Sequence, residues 1–288
     1  MAEQESTKWH ELLGTLLKYS LSPVGIKVST DFNVMSKSPE VDILLLRRFN
    51  QKWTAEQLAL LPDGIRDCQA SDILLEFKYT ESFNEDAIQQ ALGYDFLYKR
   101  YNVSSKDKEK VQTFLLSAHK PQLKTLTRFG YERTEYEGVY RSSLELARKI
   151  VLLSLNELTN EPHNAFVKCF ASRQTEKQKA FKTLKQKGFN SFTDQLQWFL
   201  AGLNTLLFSS TGEPMKIQLT PEMVTEMGKE WGEVYLSSLP AEKRLAGLTP
   251  KDRLSGLKPK DRLAGLTQKE LDELANELNR HQRQKSGV

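Results

Sequence analysis

The stretch Ile73-Leu74-Leu75-Glu76-Phe77-Lys78 is an apolar run that ends in an acid and a lysine. A short run of large apolar residues predicts a β-strand that is buried inside a sheet. Because alternate side chains of a strand share a face, Glu76 and Lys78 are expected on one side and Phe77 on the other. Charged side chains at the end of a buried strand are costly unless they have a use. This strand is therefore predicted to lie at the centre of the fold and to carry residues of the functional site.

The segments before this strand predict a helix and two further strands. Apolar residues in Trp9–Leu16 recur at the i, i+3, i+4, i+7 spacing of an amphipathic helix. Val24–Val28 predicts a short strand, and Val41–Leu46 is too apolar for an edge strand and predicts a buried central one. Residues 50–71 are interpreted as an insertion containing a short helix capped at Thr54.

The segments after it predict a helix and then another strand. Ser82 and Glu85 have the spacing of a capping box, which opens a helix that runs to about Tyr98. Thr113–Ala118 predicts the next strand, and residues 121–129 a further helix. The order helix, three strands, helix, strand is that of a layered α/β domain.

The remaining chain is predicted to become helical. Residues 139–140 and 166–170 are expected to add strands, with a long apolar helix over 143–158 between them. From Arg173 onward the pattern is helical, which gives three expected regions: an α/β domain over 1–172, a helical accessory region over 173–239 and a tail over 240–288.

The tail contains a nine-residue repeat that begins at Arg244, Arg253 and Arg262. Each unit has a glycine and the first two have a proline, so tandem short helices are predicted, followed by a longer helix over Gln268–Leu278. The tail holds 11 basic and 7 acidic residues, whereas the other 30 basic and 30 acidic residues cancel. We expect the tail to be ordered and to support a homo-oligomer. A solvated, flexible tail is the alternative.

Composition excludes several classes of protein. The two cysteines and four scattered histidines argue against a disulfide framework and a zinc site, and are compatible with a reducing cytoplasm. No apolar run reaches the ~18 residues of a membrane span, and the polar, acidic residues 1–7 do not resemble a signal peptide. A cytoplasmic protein without a membrane partner is expected.

A second acid completes the candidate site. Asp42 opens the strand expected beside Glu76, and two carboxylates with a main-chain carbonyl form a hard oxygen site that suits Mg²⁺. Lys78 beside such an ion would orient or deprotonate a water and offset developing negative charge. The alternatives are a surface ion pair of Glu76 with Lys78 and a turn capped by Asp42. Asp63, in the predicted loop at Pro62-Asp63-Gly64, is the second choice for the acid.

These residues resemble a known family. Asp42, Glu76-x-Lys78 and Gln90-Ala-Leu-Gly-Tyr94, with the element order α-β-β-β-α-β over about residues 6–118, are similar to the PD-(D/E)XK, or restriction-endonuclease-like, nuclease superfamily. The Gln-x-x-x-Tyr motif resembles that of its RecB-like and Rpn-like branches. Parts of the chain, including the Arg-Leu-Ala-Gly-Leu repeats, are also similar to bacterial, especially cyanobacterial, hypothetical proteins.

The resemblance implies a function and a role for each residue. Asp42 and Glu76 would bind Mg²⁺ or Mn²⁺, Lys78 would be the catalytic lysine, and Gln90 and Tyr94 would support the lysine or contact nucleic acid. The implied activity is hydrolysis of phosphodiester bonds in DNA, with RNA as the alternative, in defence, mobile-element or repair processes. The rivals are a nuclease fold that binds nucleic acid without cutting it and a protein whose main role is assembly.

Overall fold

A computed structural model describes most of the chain, and its contacts divide the chain into two units, residues 1–233 and 234–288. The described residues are 8–30, 43–47, 52–104, 107–186, 192–208, 219–238, 241–245 and 248–285.

The first unit is a mixed α/β domain built on one seven-stranded sheet, in the order β1-β2-β3-β4-β7-β6-β5. The three middle strands β3, β4 and β7 are parallel, and every flanking pair is antiparallel. The strands are β1 (Lys27–Ser29), β2 (Ile43–Arg47), β3 (Asp72–Lys78), β4 (Val111–Ser117), β5 (Tyr131–Arg133), β6 (Val139–Ser142) and β7 (Ile150–Ser154).

Helices cover both faces of this sheet. The bounds are α1 (Trp9–Leu21), α2 (Ala55–Leu58), α3 (Glu85–Tyr101), α4 (Leu123–Arg128), α5 (Ala165–Lys168), α6 (Gln174–Gln186), α7 (Asp194–Phe208) and α8 (Pro221–Ser238), the last of which crosses the boundary between the units.

The parallel strands are apolar on both faces because both are covered. On one face Leu115 of β4 and Leu152 of β7 share a buried cluster with Ala87 and Ile88 of α3. On the other face the odd-numbered apolar residues of β3 join a larger core with α1, α5, α6 and α7. The helices assigned from the sequence to an accessory region over 173–239 thus contribute Leu184, Phe199 and other side chains to the same core as the sheet. This burial favours one folded unit over separate pieces.

Most of the predicted elements up to residue 129 are present. The stripe of α1 is buried at Leu12, Leu13 and Leu16, and Thr54 caps α2 through a reciprocal capping box with Gln57. At the start of α3 the cap is different from the predicted one, because Asn84 and not Ser82 accepts the hydrogen bond of the first helical turn.

Two predictions in the following segment are wrong. The long helix expected over 143–158 is replaced by a 3₁₀ turn at Ala147–Lys149 and strand β7, and the strand expected over 166–170 is the short helix α5. Strand β5 was not predicted. The residues of β7 are buried on both faces, so they show neither helical nor alternating periodicity, and a short apolar run of this kind does not distinguish helix from strand.

The second unit has the predicted tandem short helices. After the end of α8 come α9 (Ala241–Leu245), α10 (Pro250–Leu254), α11 (Pro259–Arg262) and α12 (Gln268–Lys285). The repeat produces the same contact twice, because Arg253 Nε donates to the Leu248 carbonyl and Arg262 Nε to the Leu257 carbonyl, each over 3.0 Å. Gly256 and Gly265 end the turns with φ of 81° and 88°, a left-handed conformation that favours glycine.

Across the described part of the chain, every helix is too short or too polar to cross a lipid bilayer.

Candidate active site

The carboxyl end of β3 brings an acid and a lysine together in a largely buried place. Glu76 is only 1% exposed, and the side chain of Lys78 is 11% exposed. Because these residues alternate with Phe77, their side chains share the face of the sheet that α3 covers, and Lys78 Nζ lies 3.0 Å from Glu76 Oε1. The pair is therefore not the exposed surface ion pair considered as an alternative.

Helix α3 adds two polar side chains to this pair. Lys78 Nζ donates to Gln90 Oε1 over 2.6 Å, and Gln90 Nε2 donates to Tyr94 Oη over 2.6 Å. Gln90 and Tyr94 are four residues apart, so they lie on one face of the helix. The amide of Gln90 is oriented by Tyr94, and it presents a neutral acceptor to the lysine ammonium.

Two further contacts hold α3 in place over the sheet. Tyr98 Oη donates to Asp72 Oδ2 at the start of β3 over 2.7 Å, and Thr113 Oγ1 of β4 donates to Asp95 Oδ1 over 2.8 Å. Asp95 is buried and also pairs with Lys99. These contacts fix the helix against two strands, and the fixed helix sets the position of Gln90 above Lys78.

Lys78 is held in its charged form. Burial alone lowers its pKa, but the Glu76 carboxylate, through its charge and a hydrogen bond, and the more distant Glu81 raise the pKa above its ordinary value. The side chain is therefore an ammonium at neutral pH. Its chemical use in this state is to attract and orient negatively charged or electron-rich groups, rather than to remove a proton.

Serines of the neighbouring strands lie in register with Lys78. The register pairs Lys78 with Ser117 of β4, and Ser117 with Ser154 of β7. Register partners in a parallel sheet share a face, so three polar side chains follow one another along the carboxyl edge of the parallel strands. Both serines are fully buried, and Ser117 Oγ donates to the carbonyl of His119 over 2.9 Å. This row is not predictable from the sequence, since a single serine at a strand end carries no signal.

The other candidate acids lie elsewhere or outside the described residues. Asp42 is outside them. Asp63 is buried, and its carboxylate contacts His163 Nε2 over 2.7 Å and Asn164 Nδ2 over 2.8 Å, so the contacts of the second choice are with the segment after β7. Glu11 of α1, which the sequence analysis left out of the site, forms an ion pair with Lys8.

A separate polar cleft of about 510 Å³ opens beyond the end of β7. Its lining includes two carboxylates that are each shared by two cations: Glu157 pairs with Lys120 and Arg133, and Glu176 pairs with Lys168 and Lys179. Glu76 and Lys78 are not among its lining residues. The cleft is thus a set of satisfied ion pairs apart from the candidate site.

Among the described residues, no group of three or more His, Cys, Asp or Glu side chains is arranged to hold a metal ion. Because Asp42 is outside the described residues, this finding does not concern a site formed by the carboxylates of Asp42 and Glu76. Comparison with known proteins gave no match: no family model matches the chain, and no curated protein or solved structure is significantly similar to it. The function of the chain is therefore inferred from the geometry of the site.

Proposed function

We propose that this chain is a metal-dependent nuclease with a restriction-endonuclease-like core, which hydrolyses phosphodiester bonds in DNA with Mg²⁺ or Mn²⁺. The observation that carries the proposal is the position of Lys78 Nζ between the buried Glu76 carboxylate and the Gln90–Tyr94 pair. Lys78 and Gln90, which are 12 positions apart in the chain, meet within hydrogen-bonding distance at the end of a central strand, and each also contacts a second residue of the motif.

The arrangement of the elements supports the same proposal. The chain runs through α1, β1, β2, β3, α3 and β4, with the short α2 inserted before β3. The first three strands form an antiparallel meander, and β4 returns parallel to β3 after the α3 crossover. This is the α-β-β-β-α-β order that the resemblance implies.

The carboxylates of the candidate site are chemically suited to bind a hard divalent cation. Glu76 supplies a buried carboxylate, and the sequence offers Asp42, which is outside the described residues, as the second one. Carboxylate oxygens are the ligands that Mg²⁺ prefers. A cation bound by Glu76 and Asp42 would polarise a phosphoryl oxygen and lower the pKa of a bound water. Lys78 would place its positive charge beside the phosphoryl group, with Gln90 holding the ammonium in position.

The test is a cleavage assay on plasmid, DNA oligonucleotide and RNA oligonucleotide substrates with Mg²⁺, Mn²⁺ or EDTA. We expect metal-dependent cleavage of DNA, and a loss of about 10²-fold in kcat for Lys78→Ala with a much smaller change in KM. Lys124→Ala is the control, because Lys124 is an exposed lysine on α4. A Lys78→Ala variant that cuts as fast as the wild type would refute the proposal. Binding of DNA without cleavage in any metal would favour the rival, a nuclease fold without catalysis.

A further inference from the structure

Among the described residues, the ammonium of Lys78 faces three acceptors, and one of them is not part of the site described above. Besides Glu76 Oε1 at 3.0 Å and Gln90 Oε1 at 2.6 Å, Glu81 Oε2 lies 3.5 Å from Lys78 Nζ. Glu81 is in the segment that joins β3 to α3. A lysine ammonium has three N–H donors, so a substrate oxygen that approaches Lys78 must compete with one of these partners.

The three partners of Lys78 differ in how strongly their positions are fixed. Glu76 is almost fully buried in the sheet, and the Gln90 amide is oriented by Tyr94. The Glu81 side chain is 64% exposed, and its contact with Lys78 is the longest of the three. Exposed ion pairs of this kind contribute little stability because water solvates both ions well. Glu81 is therefore the partner that an incoming anion displaces at the lowest cost.

We propose that Glu81 weakens substrate binding by competing with a phosphodiester oxygen for Lys78. This inference rests on the proposed function. While Glu81 faces Lys78, the two carboxylates around the ammonium outnumber its single positive charge, which disfavours the approach of an anion. A phosphodiester that displaces Glu81 places its own negative charge beside the ammonium. Glu81 thus weakens substrate binding and is not needed for the chemical step.

The contact itself is tested by a readout that is independent of nuclease activity. In Glu81→Gln, the exposed side of Lys78 loses its carboxylate partner at 3.5 Å, so Nζ no longer has to leave that ion pair to react, and its acylation by acetic anhydride should become about two- to five-fold faster, the range expected for an exposed ion pair. Peptide mass spectrometry measures the rate, with Lys99, paired to Asp95, as the internal reference. Glu85→Gln is the matched control, because it removes the same charge four residues away, where the partner is Arg128. It should leave the acylation of Lys78 unchanged.

The competition is tested by fluorescence anisotropy with a labelled duplex oligonucleotide, in Ca²⁺ in place of Mg²⁺. Glu81→Gln should bind about two- to five-fold more tightly than the wild type. The gain should disappear in a Lys78→Met background, since it acts through Lys78, and Glu85→Gln should show little of it.

The outcomes separate this inference from the proposed function. If neither the wild type nor any variant binds the oligonucleotide, the proposed function is overturned, and this inference with it. If the wild type binds but Glu81→Gln binds no more tightly, the inference alone is overturned. The same holds if Glu81→Gln increases the affinity as much in the Lys78→Met background as in the wild type. A Glu81→Gln variant that retains affinity and loses Mg²⁺-dependent cleavage would also overturn it, because Glu81 would then be needed for the chemical step.

Discussion

Two glycines in helices of the first unit should respond to the same substitution in opposite directions. Gly202 lies in α7 where that helix meets α8, and a Cβ atom added there would be 1.7 Å from the carbonyl oxygen of Val224 and 2.8 Å from its carbonyl carbon. Gly93 lies in the exposed interior of α3, and outside its own turn of helix no atom is within 4 Å of the position that its Cβ would take. Only the first glycine is required by packing.

The magnitudes follow from these distances. A carbon atom packs against a carbonyl oxygen at about 3.3 Å or more, so Gly202→Ala must push the two backbones apart by roughly 1.6 Å. In a close-packed interior such a shift costs on the order of 3 kcal/mol. The gain of up to ~1 kcal/mol from replacing glycine by alanine in a helix offsets part of this, which leaves a net loss of ~2 kcal/mol. Gly93→Ala has the gain alone, about 0.5–1 kcal/mol.

Circular dichroism during thermal and urea unfolding measures both variants. A change of 1 kcal/mol moves the Tm of a domain of 150–250 residues by about 2–4 °C. Gly93→Ala should therefore raise the Tm by about 1–4 °C, and Gly202→Ala should lower it by about 4–8 °C. Gly228→Ala, whose Cβ would be 1.9 Å from the Trp198 carbonyl oxygen, should behave like Gly202→Ala. A Gly202→Ala variant as stable as Gly93→Ala would refute this prediction, because α7 and α8 would then not be in backbone contact.

Three further predictions concern the metal, the acid limit of stability and the tail. Isothermal titration should show Mn²⁺ binding that both Asp42→Asn and Glu76→Gln abolish and Asp63→Asn retains; equal binding by all four proteins would refute the ligand assignment. Burial alone raises the pKa of Glu157, but Tyr140 and neighbouring cations lower it below its ordinary value of 4.5, so its stabilising contribution is present above that pH and is lost as the pH falls through the folded-state pKa. Urea unfolding of Glu157→Gln between pH 3 and 7 should accordingly show a flatter acid decline than the wild type. Light scattering should give fewer protomers per particle for a chain ending at Pro240 than for the full chain, and equal numbers would exclude self-association through the tail.

The elements that could be predicted from the sequence are those whose structure is determined by residues within the same segment. The α1 stripe, the capping box at Thr54 and the glycines of the tail each act within a few residues, so their elements follow from the sequence. The β3 strand follows for a related reason, because its apolar run requires burial on both faces.

The structure of the segment after residue 142 depends on distant partners. The apolar run of β7 becomes a strand because β4 and β6 supply hydrogen bonds on both sides, and neither partner is visible from the run itself. Residues 166–170 include two phenylalanines, and phenylalanine is enriched in strands. Nevertheless Phe166 lies in the short helix α5, and both Phe166 and Phe170 are buried in the core. Tertiary context decided both segments.

The candidate site was predictable in part. The shared face of Glu76 and Lys78 follows from strand alternation, and the shared face of Gln90 and Tyr94 follows from helical spacing. Their meeting depends on how α3 crosses β3, which Tyr98 and Asp95 fix through contacts that no local pattern shows. The approach of Glu81 likewise depends on the path of the segment between β3 and α3.

The surroundings of Lys78 also discriminate between the two roles that the sequence left open for it, orienting a water and deprotonating one. A lysine that acts as a general base must lose its proton near neutral pH, which requires burial without a nearby carboxylate. Lys78 has the opposite environment, since the Glu76 carboxylate lies 3.0 Å away and its pKa is raised. The neutral Gln90 acceptor adds orientation without adding charge. The ion pair with Glu76 and the hydrogen bond to Gln90 therefore favour the orienting role, with the ammonium as a fixed positive charge at the end of β3.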